Sequence, residues 1–489
     1  MQSLIKLMES FQIFTNFYLK NTEKYTMSSL IHHWLKKLSE SKKPAYLLIA
    51  DLIEEDISSE RLQARDRLPA LRELAEELQL NYTTIARAYS EAKKRGLIDS
   101  HAGTGTFVRG RPPAIPLRDG SSAEMTMNMP PEPTGLANKL KLDAARIIEN
   151  ADIYNLMRYQ DFGGTSEDRE VAAGWLQPFI PKCTADKVLV SSGIHSVLLA
   201  LISQLARPGE LICVEDLVYP GIKAIAAQLG IRLHSIPSDS DGPIISALED
   251  ACKTQHPRAF YCNPTLQNPN TKTIPLHRRQ GLADIAMRYN VPIIEDDAYG
   301  MLPTETAITM AQLAPELTWY ISGFSKCLGA GLRIAYVCAP SARQAQRLAG
   351  ALRATTVMVN PITALLTTNW VKNGIANEML KAVRTESNAR QQIATKALKS
   401  WPYLSNADGF HLWLPIPIYS GWRASEFALQ LRTQGVGVVS SVAFSTDSNP
   451  IEAVRVCLGG PNSREECEHG LKLVAETLEY PHHMHFPMM

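Results

Sequence analysis

The hydrophobic rhythm of the chain changes once, near residue 110. Before that point apolar residues recur at helical spacing. Pro44 to Ile57 reads as a first helix, and Ala70–Gln79 as a second, with Leu71, Leu74, Ala75 and Leu78 on one face. A short break at Leu80-Asn81-Tyr82 precedes a third helix that aligns Ile85, Ala88, Tyr89 and Ala92. Asn81 is placed to cap its start and Gly96 to end it. Leu97–Ser100 and Thr106–Val108 read as short strands around a glycine turn, His101-Ala-Gly103-Thr-Gly105. Helix, helix, turn, helix and small hairpin predict a winged helix-turn-helix over residues 27–108.

Residues 109–126 carry prolines and small polar residues and read as a linker. From residue 127 to about 480, strand-like apolar runs alternate with amphipathic helices. The clearest runs are Lys187–Val190, Leu211–Val214, Ala259–Cys262, Val291–Glu295 and Trp319–Ser322. Such alternation predicts a mostly parallel sheet covered by helices. Residues 1–26 read as an extension expected to be disordered, and 481–489 as a tail.

A chain of 489 residues exceeds one ordinary domain and has ample core. Its 45% hydrophobic and 20% charged residues fit a globular protein, and a net charge of +1 argues against a generally polybasic binder. Within residues 27–110, roughly thirteen basic residues oppose twelve acidic ones, so any nucleic-acid contact rests on pattern rather than bulk charge. The eight cysteines show no C-x-x-C pairing. They read as buried thiols in a reducing cytosol, with no disulfide frame or metal site expected. No apolar run reaches roughly eighteen residues, so no membrane span is expected, and the chain reads as cytoplasmic.

Two groups of residues carry candidate chemistry. In a helix-turn-helix the recognition helix enters the major groove through its N-terminal residues. That places Tyr82, Thr83 and Thr84 near base edges, with Arg72 and Arg87 against phosphates or bases. The turn at Gly103 lets the wing backbone approach the minor groove. Taken singly, Arg72 and Arg87 are ordinary surface charges; Lys93-Lys94-Arg95 reads as a solvated helix end.

The second group centres on Lys326, in the small-residue loop Gly323-Phe-Ser325-Lys326-Cys-Leu-Gly-Ala-Gly-Leu-Arg333. A lysine there can form an imine with an aldehyde cofactor, and Arg333 and Ser325 can hold that cofactor's phosphate. Gly193, Ile194 and His195 open a helix after a strand, where free N–H groups and the dipole suit a phosphate. Asp296 ends a buried strand, where a carboxylate can pair with a pyridinium nitrogen. Each feature alone has an ordinary reading as a turn, a core residue or a strand end. Their order along the chain makes the set specific.

The N-terminal blocks Asp66-Arg67-Leu-Pro-Ala-Leu-Arg72, Asn81-Tyr-Thr-Thr-Ile-Ala-Arg87 and Gly103-Thr-Gly-Thr-Phe-Val resemble the GntR family of bacterial repressors. The lysine segment, with Tyr219 before a proline, Asn268-Pro-Asn-Thr and Asp296-Asp-Ala-Tyr299, resembles aminotransferases that use pyridoxal 5'-phosphate (PLP). Joined, the two are similar to the MocR subfamily of transcriptional regulators over nearly the whole chain. The resemblance implies a winged helix-turn-helix head on an α/β fold-type-I aminotransferase-like body, and a homodimer with cofactor sites at the subunit interface. It makes Lys326 the imine lysine, Asp296 the partner of the ring nitrogen, Tyr219 the stacking aromatic, and Asn268 and Tyr299 the partners of the phenolic oxygen. It makes Arg455 the clamp for a substrate carboxylate, and lets Tyr159 reach the partner's cofactor. Gly323 stands where many relatives carry a serine, so that phosphate hydroxyl is missing or supplied by Ser322. The function implied is a regulator whose operator binding responds to PLP, or to an amino acid or amine forming an external aldimine at Lys326. An active aminotransferase with an appended DNA head is the alternative.

Overall fold

The computed structural model describes residues 27–41, 43–59, 61–62, 66–101, 105–108, 123–447 and 450–480, in two compact units divided after Ile115. The 1–26 extension, Gly103, residues 109–122 and the 481–489 tail lie outside the described residues.

The N-terminal unit contains α1 (Met27–Glu40), α2 (Ala45–Ser58), β1 (Arg67–Leu68), α3 (Leu71–Glu77), α4 (Tyr82–Lys94), β2 (Ile98–His101) and β3 (Gly105–Val108). The second, third and fourth helices are those that periodicity predicts. The first is additional. It buries Leu30, Ile31 and Trp34, and the Trp34 indole N–H donates to Asp56 of α2 at 2.6 Å. Arg61 Nε lies 2.8 Å from the other Asp56 oxygen, so the buried carboxylate is matched on both sides. The expected hairpin is a three-stranded wing, β1-β3-β2, because Arg67 and Leu68 pair with Phe107 and Thr106. Asn81 occupies the cap position of α4, but its side chain makes no capping bond; the helix starts on backbone bonds alone. Gly96, at φ 73°, takes the left-handed turn that ends it.

The C-terminal unit is built on a seven-stranded sheet. After β4 (Ala123–Glu124) come β5 (Val188–Ser191), β6 (Leu211–Glu215), β7 (Arg232–Ile236), β8 (Phe260–Cys262), β9 (Ile293–Asp296), β10 (Thr318–Gly323) and β11 (Ala335–Cys338). Their order is β5-β11-β10-β9-β8-β6-β7, and β11 alone runs antiparallel. Every residue of β5, β6, β9 and β10 is buried, which is why they read as unbroken apolar runs rather than alternating ones. Helices cover both faces, among them α5 (Ile194–Leu205) and α6 (Pro220–Leu229).

A smaller antiparallel sheet joins β12 (His411–Pro415), β14 (Val439–Ser440) and β15 (Ala453–Cys457). Between them in sequence, β13 (Val436–Gly437) pairs in parallel with β4. The linker expected over 109–126 therefore ends sooner. Residues 123–126 are part of this unit, with Met125 fully buried in the small-sheet core, because Ala123 and Glu124 find backbone partners in β13.

Candidate cofactor site and nucleic-acid interface

In an open, mostly parallel sheet, ligands bind beyond the carboxyl ends of the strands. Gly193 follows β5, Tyr219 follows β6, Asn268 follows β8, Asp296 ends β9 and Lys326 follows β10. Because β11 runs the other way, Arg333 just before it reaches the same edge. Arg455 comes from β15 of the small sheet. These groups share one electrostatic neighbourhood: Asp296, Arg333 and Arg455 all act on Lys326 and on the Tyr219 hydroxyl.

The phosphate end is formed by Gly193 and Arg333. Gly193 sits at φ 95°, and a Cβ there would stand 2.8 Å from Arg333 Nη2. The site thus needs glycine for conformation and for space. Burial, with the Arg333 charge, holds the His195 imidazole below its ordinary range. Tyr219 precedes α6, its ring perpendicular to His195 at 6.4 Å. Gly221 leaves it room, since a Cβ there would overlap the ring at 2.2 Å. Gly323 is also closely packed: a Cβ would meet Ile194 at 3.0 Å and the Ile334 carbonyl at 3.3 Å. Ser325 is half-buried on the lysine loop.

The three acids at the end of β9 are all buried, so they are not a solvated strand end. Glu295 accepts from the N–H groups of Met310 and Ala311 at 2.8 and 2.9 Å. Asp297 accepts from the Tyr320 hydroxyl at 2.8 Å. Asp296 differs: one oxygen accepts from the Tyr261 hydroxyl at 2.8 Å, and Oδ1 has no partner. Burial pushes its carboxyl up to about 6, opposed by the Tyr261 bond.

Burial, reinforced by the Arg455 charge, pulls Lys326 down to about 8. Its ammonium donates to the Asn128 carbonyl. Arg455 is 7% exposed; Nη1 donates to Asn268 Oδ1 at 2.7 Å, Nη2 to the Thr126 carbonyl, and Nε has no partner. Asn268 and Arg455, read separately from sequence, thus hold each other. The Phe444 ring lies 4.8 Å from the guanidinium. Tyr299 accepts from Asn128 Nδ2 at 2.8 Å and packs against His411, which burial and Arg455 push down to about 3. Tyr159 stands on the surface, 83% exposed.

Sequence reasoning missed Asn128 and His411. Asn128 belongs to no local motif, and its partners lie 171 and 198 residues away. His411 could have been flagged as the polar residue within an otherwise apolar strand.

In the other unit, Tyr82 is half exposed at the start of α4, Thr83, Arg72 and Arg87 are exposed, and Thr84 is half-buried. The Arg87 guanidinium lies 4.3 Å over the Tyr46 ring. Arg95 is not a simple solvated end: it contacts Asp51, Glu91 and Glu54 at 2.8, 2.9 and 3.4 Å, leaving Lys93 and Lys94 exposed beside it.

Residues 130–473 match the family of class I and II aminotransferases. The chain belongs to this family. Residues 45–108 match the gntR family of bacterial regulatory proteins, so the body carries a GntR-type helix-turn-helix head, the composition expected of the MocR subfamily. The uncharacterized HTH-type transcriptional regulator YdeF of Bacillus subtilis is 29% identical over 464 residues, covering 94% of this chain and 98% of that protein. The vitamin B6 salvage pathway transcriptional repressor PtsJ of Salmonella typhimurium is 28% identical, covering 85% and 95%. Among solved structures, the alpha-aminoadipate aminotransferase LysN of Thermus thermophilus, complexed with N-(5'-phosphopyridoxyl)-L-leucine, superposes with a TM-score of 0.67 at 23% identity. That likeness covers 74% of this chain and 92% of LysN, and shows the fold. No helix among the described residues is long and apolar enough to cross a membrane.

The residues present fit the PLP of this family. Asp296 Oδ1 is a buried acceptor without a partner, Gly193 and Arg333 form a cradle that a Cβ would fill, and Lys326 is biased toward the free amine.

Proposed function

We propose that the chain is a DNA-binding transcriptional regulator that responds to PLP, or to an amino acid or amine that displaces Lys326 from PLP. The observation that carries this reading is Lys326, a lysine biased toward its free amine in a built site, in a chain that also bears a GntR-type head. Bound PLP supplies an aldehyde that condenses with amines and a ring that withdraws electrons. The chain's own groups do the rest. Arg333 and the α5 N-terminus hold the phosphate, with Ser325. Asp296 keeps a proton at the ring nitrogen, Tyr219 stacks on the ring, Asn268 and Tyr299 hold the phenolic oxygen, and Arg455 takes a ligand carboxylate.

Regulation follows from linkage: a ligand shifts the protein between two states only by its differential affinity for them. The functional unit is a homodimer that reads paired half-sites and in which Tyr159 reaches the partner's cofactor. The exposed apolar side chains Ile153, Tyr154, Met157 and Tyr159 support such an interface. Tyr82, Thr83 and Thr84 read bases, while Arg72 and Arg87 position the head on phosphates.

Footprinting of the full-length protein on the DNA upstream of its own gene, with and without PLP and with Lys326→Ala, tests the proposal. Protection that changes with PLP and loses that response in the variant is the expected result; protection indifferent to both sinks it. The name of PtsJ points to PLP itself as effector, which predicts a response without added amine. An active aminotransferase is the second reading, supported by the convergence of Lys326, Asp296 and Arg455 in one site. Steady keto-acid formation at roughly one turnover per second or more would favour it.

A further inference from the structure

We infer that Asn128 is a positioning residue that sets the hydrogen-bond direction of Tyr299, and through it the protonation of the cofactor–lysine linkage. The inference rests on the reading that PLP binds at Lys326. Asn128 lies in the segment 124–131, before the first residue of the aminotransferase match, and is 6% exposed. It touches two functional groups. Its side-chain N–H donates to the Tyr299 hydroxyl at 2.8 Å, and its carbonyl accepts from Lys326.

The segment is held against the small sheet, so Asn128 is not free to drift. The Cys457 N–H donates to the Met125 carbonyl at 2.9 Å, and Arg455 donates to the Thr126 carbonyl. A Cβ at Gly459 would overlap the Met129 carbonyl at 1.7 Å, and one at Gly460 would overlap the Glu124 carbonyl at 1.7 Å. Only glycine at both positions lets the backbones approach this closely.

A tyrosine hydroxyl has a single proton to donate and lone pairs to accept with. When Asn128 Nδ2 occupies a lone pair, that proton must point elsewhere. Asp296 is already served by Tyr261, so the acceptor left for Tyr299 is the phenolic oxygen of the cofactor. A donor at that oxygen favours its anionic form, and hence the deprotonated linkage. Asn128 therefore lowers the pH at which the linkage loses its proton. Were the amide turned over, its oxygen would take the tyrosine proton away from the cofactor, and the sign would reverse.

The test uses the PLP-loaded full chain and follows the visible absorbance of the linkage against pH. Asn128→Leu, close to isosteric and neutral, is expected to raise the midpoint by about one pH unit, a tenfold change in the protonation equilibrium. In a Tyr299→Phe background the same substitution should move the midpoint little, since the hydroxyl through which it acts is gone. A merely structural role for Asn128 would lower cofactor occupancy equally in both backgrounds. A midpoint that stays or falls in Asn128→Leu, or a rise that persists without the Tyr299 hydroxyl, overturns the inference while leaving PLP binding intact. A wild-type protein with no titrating cofactor band would overturn the underlying reading as well.

Discussion

The two units present their chemistry in opposite ways. In the head, Arg72, Thr83 and Arg87 stand in solvent, and Tyr82 is half exposed. In the body, Asp296, Tyr299, His411 and Arg455 are buried, and burial displaces the titration of the first three. A surface that reads DNA gains from many weak, solvated contacts and loses little when one is removed. A site that holds a reactive amine and a carboxylic acid in low dielectric depends on each group. Single substitutions should therefore act abruptly in the body and by degrees in the head.

Lys326→Ala is the largest expected effect. Borohydride reduction of PLP-loaded wild-type protein should leave cofactor covalently attached, seen as a mass gain, and the variant should show none. Attachment of similar extent at another lysine would break the assignment. Arg455→Met comes next. A buried charge pair that loses one partner costs roughly 2–5 kcal/mol, so the affinity for an amino acid effector should fall at least thirty-fold. The corresponding amine without a carboxylate should bind wild type and variant alike, which a general disruption of the site would not reproduce.

Legibility follows the same division between local and distant. The strands of the large sheet could be read because burial on both faces leaves continuous apolar runs, as at Leu211–Glu215. The cofactor residues could be read because each ends a strand or opens a helix. What escaped was built across distance. Helix α1 hides its apolar stripe among polar residues, and Trp34 makes sense only once Asp56 is opposite it. Strand β1 has two residues, too few for any periodicity, and β4 exists because Val436 and Gly437 pair with it. Asn128 has no signature within its own segment; its meaning comes from Tyr299 and Lys326.

In the head, effects should be graded and of two kinds. Arg72→Ala should weaken binding to every DNA sequence and reduce the slope of log affinity against log salt by about 1. Thr83→Ala should leave that slope unchanged but relax discrimination at one base pair, by roughly 1–3 kcal/mol. Binding titrations at several salt concentrations, on an operator and a single-base variant of it, separate the two. If Arg72→Ala alters base preference, the division between positioning and reading groups fails at that residue.

The smallest effect lies in the pH dependence of stability in the cofactor-free protein. Burial and Arg455 hold Lys326 near 8 in the folded state, below the ordinary lysine value of 10.5. Between those values the unfolded chain keeps a proton on this lysine that the folded chain has released. Stability rises with pH wherever the unfolded state binds more protons, so this group contributes a gain from about pH 8 to 10.5 that is absent below the window. Lys326→Met removes the titrating group and should flatten that contribution. Arg455→Met removes the second cause and should narrow the window by moving the lower limit up. Urea unfolding at pH 7, 8.5 and 10, taken as the difference between wild type and Lys326→Met, isolates the term from other lysines and tyrosines that titrate nearby. A difference that stays constant across the three values would mean that Lys326 is solvated like a surface lysine, and the contrast between the two units would lose its sharpest member.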